Sequence, residues 1–182
     1  MQTQATTAVR LEKISVQEAD ALSALCLRLY PQFYLYLWYD AGEWYQRTRY
    51  NPEQLRTELS DPASEFYWIY QSEEGLPVGY LKINLKARPA ESTELTDNGL
   101  ELERIYLLKE ATGTGLGAQV LAWVAERAAA LRRDYVYLYT MDSSQAIRFY
   151  EKYGYRKAGV KRLPFEQMKP EYRGMYLMIK EL

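Results

Sequence analysis

Residues 101–117, Glu-Leu-Glu-Arg-Ile-Tyr-Leu-Leu-Lys-Glu-Ala-Thr-Gly-Thr-Gly-Leu-Gly, constrain the fold of this chain more than any other stretch. An apolar strand carrying Glu101 and Glu103 runs into a loop with glycines at 113, 115 and 117. An amphipathic helix from Ala118 to about Arg132 follows at once. A glycine loop at a helix N-terminus leaves several backbone N–H groups without partners and adds the positive end of the helix dipole, which together make an anion site. A side chain there would hold a phosphate away from the amides. The segment therefore predicts a phosphate cradle a few residues beyond a pair of carboxylates.

Periodicity around this unit predicts a mixed α/β domain spanning residues 1–182. Val9 and Leu11 alternate with polar neighbours in a first strand. Ser15 and Glu18 match a capping box ahead of a helix with Ala19, Leu22, Leu25, Cys26 and Leu29 on one face, limited by Pro31. The aromatic segment Phe33 to Tyr50 reads as partly helical, and Asn51-Pro52 starts a short helix ending near Ser60. Glu65 to Gln71 and Pro77 to Ala87 read as antiparallel strands, and Arg88 to Asn98 as a loop. Beyond the glycine helix come a strand from Tyr135 to Thr140 and a helix from Ser143 to Tyr153 stopped by Gly154. Strands near Tyr155 to Lys161 and Tyr172 to Lys180 close the chain.

Composition narrows the chemistry. The 182 residues suit one domain that buries roughly 70% of its unfolded surface. Lys and Arg total 23 against 24 Asp and Glu, a net charge of -1, so no basic field points to nucleic acid or an anionic membrane. No apolar run approaches the ~20 residues of a membrane span, and the polar stretch Met1 to Val9 has no signal-peptide core, so a cytoplasmic protein is expected. The single cysteine, Cys26, fits a reducing compartment and sits on an apolar helix face, where a buried, inert thiol is expected. Histidine is absent, which excludes a histidine base, histidine metal ligands and a Ser-His-Asp triad; no metal is expected. Catalysis must rest on carboxylates, tyrosines, lysines, the backbone or a cofactor. Of the 18 tyrosines, six lie between Tyr30 and Tyr50 with Trp38 and Trp44, either as helix packing or as the aromatic wall of a ligand site.

Two motifs in register resemble the GCN5-related N-acetyltransferase (GNAT) family. Thr112-Gly-Thr-Gly115-Leu-Gly117 is similar to its pyrophosphate signature, Arg/Gln-x-x-Gly-x-Gly/Ala. The run from Ser143 through Ala146, Phe149, Tyr150, Glu151 and Lys152 to Gly154 and Tyr155 is similar to its second signature, one helix and one strand further on. The resemblance spans roughly Glu65 to the C-terminus. It implies a mostly antiparallel sheet of six to seven strands, with helices on both faces and a V-shaped splay between the central strands. It also implies acetyl-CoA as the cofactor, held by Ile105, Tyr106, Leu107, Thr112, Gly113, Thr114, Gly115, Leu116, Gly117, Ala118, Ser143, Tyr150 and Tyr153. Thr112 stands where Arg or Gln is usual and Ser143 where Asn is common. Backbone amides dominate such a cradle, so weakened rather than abolished binding is expected, with Lys109 nearby in partial compensation.

An alkylamine with a pKa near 10.4 is only about one part in a few thousand unprotonated at pH 7, so transfer to it requires a base. A carboxylate acting through water is the natural one here, and Glu101 and Glu103 share a face two residues apart. The resemblance implies a base on this strand near a bulge, with Glu103 preferred and Glu101 open. It implies that Tyr150 is the general acid at the coenzyme sulfur. An oxyanion would meet a backbone N–H near Tyr106 or Leu107, and pantetheine would pair along the same strand edge. The Glu101 strand and the Met175 to Leu182 ending look similar to PaiA-type polyamine acetyltransferases. That suggests a small amine or polyamine, with Asp40, Glu43 and the two strand glutamates as acids and Tyr36, Trp38 and Trp44 as cation–π walls. A peptide N-acetyltransferase, a degenerate acyl-CoA-binding module and, more distantly, another nucleotide binder stay open, and a homodimer is compatible with the sequence.

Overall fold

The computed structural model describes residues 9–182; the polar stretch read as lacking a signal peptide falls mostly outside them. The described chain runs β1 (Arg10–Lys13), α1 (Ala19–Leu29), α2 (Glu43–Arg49), α3 (Pro52–Leu59), β2 (Ser64–Tyr70), β3 (Gly79–Ala87), β4 (Gly99–Leu107), α4 (Leu116–Ala130), β5 (Tyr135–Met141), α5 (Ala146–Lys152), β6 (Arg156–Arg162) and β7 (Gly174–Glu181). Local chemistry accounts for the ends. Glu18 accepts from the Ser15 N–H at 2.8 Å, so the capping box forms ahead of α1. Asn51 accepts from the Gln54 N–H at 2.9 Å, with Pro52 opening α3.

The strands form one sheet in the order β1-β2-β3-β4-β5-β7-β6. All neighbours are antiparallel except β4 and β5. One face is covered by α1, α3 and the aromatic segment, burying Leu22, Leu29, Tyr50, Leu55 and Tyr80. The other receives α4, whose Val120, Val124 and Ala128 pack with Ile83, Leu102 and Val136. Tyr135 and Tyr137 gather with Leu177 and Ile179 in a smaller cluster. The 88–98 loop covers it, the Tyr135 hydroxyl donating to the Thr96 carbonyl at 2.7 Å.

Two sequence readings shift. The glycine helix begins at Leu116, because Gly115 in the left-handed region is its N-cap. The helix read from Ser143 begins at Ala146, because the Ser144 hydroxyl accepts from the Ala146 N–H at 3.1 Å and holds the preceding residues in a turn. The aromatic segment is helical in part, as read, in a 3-10 turn at Leu35–Leu37 and then α2.

Candidate active site

Two irregularities in β4 create the site. Against β3, Lys82 faces Arg104 while Ile83 faces Leu102, so Glu103 is an extra residue bulged out of the ladder. The bulge turns Glu101, Glu103 and Arg104 toward the α1–α3 side. Asn84, opposite Glu101, donates one amide to both carboxylates, at 2.7 Å to Glu101 and 2.9 Å to Glu103. Against β5, pairing lasts only from Gly99 with Tyr135 to Glu101 with Tyr137. Beyond Glu101 the two strands part, leaving the β5-facing edge of β4 free from Leu102 to Leu107. Leu108 donates to Val78 on the β3 side at 2.8 Å. By the two-residue alternation of an antiparallel ladder, Tyr106 also faces β3, while the Ile105 and Leu107 N–H groups face the gap.

The two glutamates differ electrically. Glu103 is held by Lys82 at 2.7 Å and Arg104 at 3.1 Å, and the same cations hold Glu58 from α3 at 2.9 and 3.0 Å. The Lys82 and Arg104 side chains are only 10% exposed, so this cluster is a buried four-charge unit. Burial raises the Glu58 carboxyl, but Arg104, Gln54 and Lys82 outweigh it and hold the pKa below the usual range. Glu101 has no cation at ion-pair distance among the described residues. Burial pushes its pKa up; the Asn84 hydrogen bond opposes this and the charge of Glu103 reinforces it. Of the pair, Glu101 is the carboxylate poised to take a proton.

A cavity of about 370 Å³ opens at the parting of the strands. Glu101, Glu103, Ile105 and Tyr106 form its floor, and Leu138 to Met141 with Ser144, Ala146 and Tyr150 form the β5–α5 side. The opposite wall is Tyr30, Tyr34, Trp38, Tyr45, Arg49 and Phe165. Burial, and secondarily the neighbouring Tyr155, raise the Tyr150 pKa, so its hydroxyl stays protonated at neutral pH. Burial and the proximity of Tyr150 likewise raise Tyr34.

The glycine loop has the form of an anion cradle. The first α4 bond runs from the Gln119 N–H to the Gly115 carbonyl, so the N–H groups of Gly113 to Ala118 find no acceptor among the described residues. Gly113 and Gly115 have φ of +74° and +87°, and nothing lies within 4 Å of a Cβ built on either, so the space over the amides is open. A pyrophosphate fits this donor set. Gly117 is small for another reason: a Cβ there would lie 3.2 Å from Cζ of Phe149. The first turn of α4 thus packs on α5, joining the two motifs. The Thr112 hydroxyl donates to the Lys109 carbonyl at 2.7 Å, fixing the loop in place of a longer side chain.

The remaining predicted residues lie as follows. Ile105 and Tyr106 line the cavity; Leu107 does not, and packs beneath Gly117. Ser143 is exposed in a shallow depression outside the cavity, and its neighbour Ser144 takes the lining position. Tyr153 packs on Phe149 at 5.0 Å between ring centres. Trp38 lines the cavity but is 2% exposed, with its indole N–H donating to the Tyr30 hydroxyl at 2.7 Å. Tyr36, Asp40, Glu43 and Trp44 fall outside the lining. Asp40 accepts from the Gly42 and Trp44 N–H groups at 3.0 and 2.7 Å, so its carboxylate helps cap the first turn of α2, whose N-cap position is Gly42. Tyr36 stands edge-on to Tyr172, and Trp44 backs Phe165 from behind. Sequence reasoning missed Tyr34, Tyr45, Arg49, Lys161 and Phe165. The β6–β7 loop brings Phe165 in, anchored where the Lys169 N–H donates to the Leu37 carbonyl at 2.9 Å and Trp38 bridges Met168.

With this geometry in place, comparison with known proteins is informative. The model of the acetyltransferase (GNAT) family matches residues 24–155, more than half of the chain. An uncharacterized N-acetyltransferase in the pepI 3′ region of Lactobacillus delbrueckii subsp. lactis is 32% identical over 105 residues. That match covers 57% of this chain, which spans 58% of the relative's length. The PaiA N-acetyltransferase of Thermoplasma acidophilum, solved with coenzyme A, superposes with a TM-score of 0.72 at 17% identity, covering 97% of this chain and 100% of that one. A GCN5-related N-acetyltransferase from Rhodopseudomonas palustris gives 0.70 at 15% identity, covering 100% of both chains. At such identities these structures speak for the fold alone, including its seven-stranded, mostly antiparallel sheet.

Proposed function

Because the chain belongs to the GNAT acetyltransferase family, we propose that it moves an acetyl group from acetyl-CoA to the amine of a small molecule, by direct attack in a ternary complex. The observation that carries this reading is Glu101: a carboxylate without a cation partner, raised in pKa, at the point where β4 and β5 part. Acetyl-CoA, the acyl donor of the family, supplies an electrophilic thioester carbonyl. The Gly113 to Ala118 amides suit its pyrophosphate, and the free β4 edge suits its pantetheine amides. Glu101 accepts the proton of the incoming ammonium, directly or through water. Glu103 is already committed to Lys82 and Arg104 and acts by keeping Asn84 and Glu101 in position. The Leu107 and Ile105 N–H groups offer donors where negative charge develops on an oxygen. Tyr150, holding its proton, donates a hydrogen bond to the leaving sulfur.

The closed aromatic wall supports a small acceptor over a peptide, because the β6–β7 loop caps that side through the Trp38–Met168 bridge. Retention of both Glu101 and Tyr150 on the cavity supports turnover over a degenerate binding module. The polyamine reading draws less support: Asp40 and Glu43 lie outside the lining, which holds Arg49, Arg104 and Lys161 against only Glu101 and Glu103. The test is thiol release from acetyl-CoA with panels of small amines, polyamines and basic peptides, beside calorimetric coenzyme A binding. Coenzyme A binding with turnover of small amines is expected. Binding with no turnover in any panel would mean a binding module, and absence of binding would sink the reading altogether.

A further inference from the structure

The cavity holds a cation that the acetyl-transfer chemistry does not use. Arg49, the last residue of α2, lines the aromatic wall with its guanidinium 5.9 Å from the centre of the Phe165 ring. Among the described residues it makes no ion pair and no side-chain hydrogen bond. The other cavity arginine, Arg104, is committed to Glu58 and Glu103. Arg49 is half-buried, and its guanidinium offers five N–H donors in a planar fork to whatever enters the cavity. Lys161 from β6 lies 3.3 Å over the Tyr139 ring, makes no ion pair among the described residues and bears on Glu101 through space.

Charge accounting gives the direction. Glu103 is consumed by Lys82 and Arg104, leaving Glu101 as the one acid of the lining able to face an acceptor ammonium; Lys161 bears on that same carboxylate, and Arg49 has no acidic partner among the described residues. A second ammonium would meet like charge, whereas an anion would complete the set. The acceptor wall also holds Tyr34, Tyr45 and Phe165, suited to an apolar side chain. The volume, about 370 Å³, is shared with the reacting end of the acyl donor and leaves room for an acceptor of amino-acid size.

From this we infer that the acceptor is a small amino acid or similar amino-carboxylate, its amine toward Glu101 and its carboxylate bound bidentately by Arg49. The inference rests on the acetyl-transfer reading above but is tested separately from it. Glycine, methionine and phenylalanine, each with its amide and its decarboxylated amine, would be titrated into the coenzyme A-loaded protein and assayed for acetylation. The amide amine is the more weakly basic and so the more available, which makes preference for the free acid a stringent sign of carboxylate recognition. A preference of roughly ten- to a hundredfold in affinity and in kcat/KM is expected in at least one series. Arg49→Gln should abolish it through KM, leaving acetyl-CoA affinity and Tm in place, and Arg49→Lys should restore part of it. Arg49→Glu should shift preference toward 1,4-diaminobutane. Equal binding of acid, amide and amine in every series, or an unchanged preference in Arg49→Gln, would overturn the inference. Arg49-dependent binding without acetylation would uphold it and remove the acetyl-transfer reading instead.

Discussion

Glu101 and Glu103 stand two residues apart and share one amide of Asn84, yet replacing each by glutamine should damage different properties. Glu101→Gln keeps shape and hydrogen bonding and removes only basicity, so kcat should fall by about 10²–10⁴. Its effect on stability is fixed by sign. A carboxyl whose pKa rises on folding stabilises the protein fully below the unfolded value, and that contribution is lost as pH climbs through the folded one. Once the pH is above that folded value the contribution is gone, and there the variant should melt no lower than the parent. Glu103→Gln instead leaves Lys82 and Arg104, each 10% exposed, sharing Glu58 alone. Breaking a buried pair costs about 3–5 kcal/mol. The 26% exposure of Glu103 and the hydrogen bond a glutamine retains reduce this to about 1–3 kcal/mol. At about 2–4 °C per kcal/mol for a chain of this size, Tm should drop by roughly 2–12 °C. The assay is log kcat/KM against pH together with calorimetric melting. Below the raised Glu101 pKa the parent should gain with slope 1, one proton leaving Glu101, and above it stay flat until the amine itself titrates, because Glu101 takes the ammonium proton. Glu101→Gln should show slope 1 throughout. A parent-like profile in Glu101→Gln, with the break lost in Glu103→Gln instead, would refute the assignment.

Other outcomes follow from the same geometry. Tyr150→Phe should lower kcat about ten- to a hundredfold, the value of a hydrogen bond to a charged sulfur, with Tm unchanged because the hydroxyl makes no protein hydrogen bond among the described residues; unaltered kcat would remove Tyr150 from the chemistry. Gly117→Ala forces its Cβ to 3.2 Å from Phe149 and should cost about 1–3 kcal/mol while raising KM for acetyl-CoA; an unshifted melting curve would show that α5 yields freely. Burial, partly opposed by the Tyr80 hydroxyl, pushes the Cys26 thiol up to about 12, so Ellman's reagent should find no thiol in the native protein and one after unfolding.

Much of this site is visible in the chain because its causes are local. Glycine at 113 and 115 answers to backbone amides within the same loop, and Ser15 with Glu18, or Asn51 with Pro52, caps a helix only residues away. The bulge also leaves a trace: in Glu-Leu-Glu-Arg-Ile-Tyr-Leu the alternation breaks at Glu103-Arg104, where two polar residues stand together. The acceptor wall leaves none. It depends on the β6–β7 loop meeting the aromatic segment over a hundred residues earlier in the chain, as in the Trp38–Met168 bridge. Without regular periodicity in that segment, nothing marked Tyr34 and Tyr45 as facing inward. Asp40, an acid among aromatics, read as a ligand group although its task is to help cap α2.

The wall has a consequence for how such a protein can change. Glu101, Tyr150 and the glycine cradle belong to the sheet and to the helices packed on it, where alteration disturbs the acetyl donor. Arg49 and Phe165 sit at the end of a seven-residue helix and in a connection between two strands, the connection tied to residues 37–39 by a few backbone bonds. In the proposed function, reaction and recognition thus rest on separate parts of the molecule. Drift in the second can retarget the enzyme to new amines while the first stays untouched.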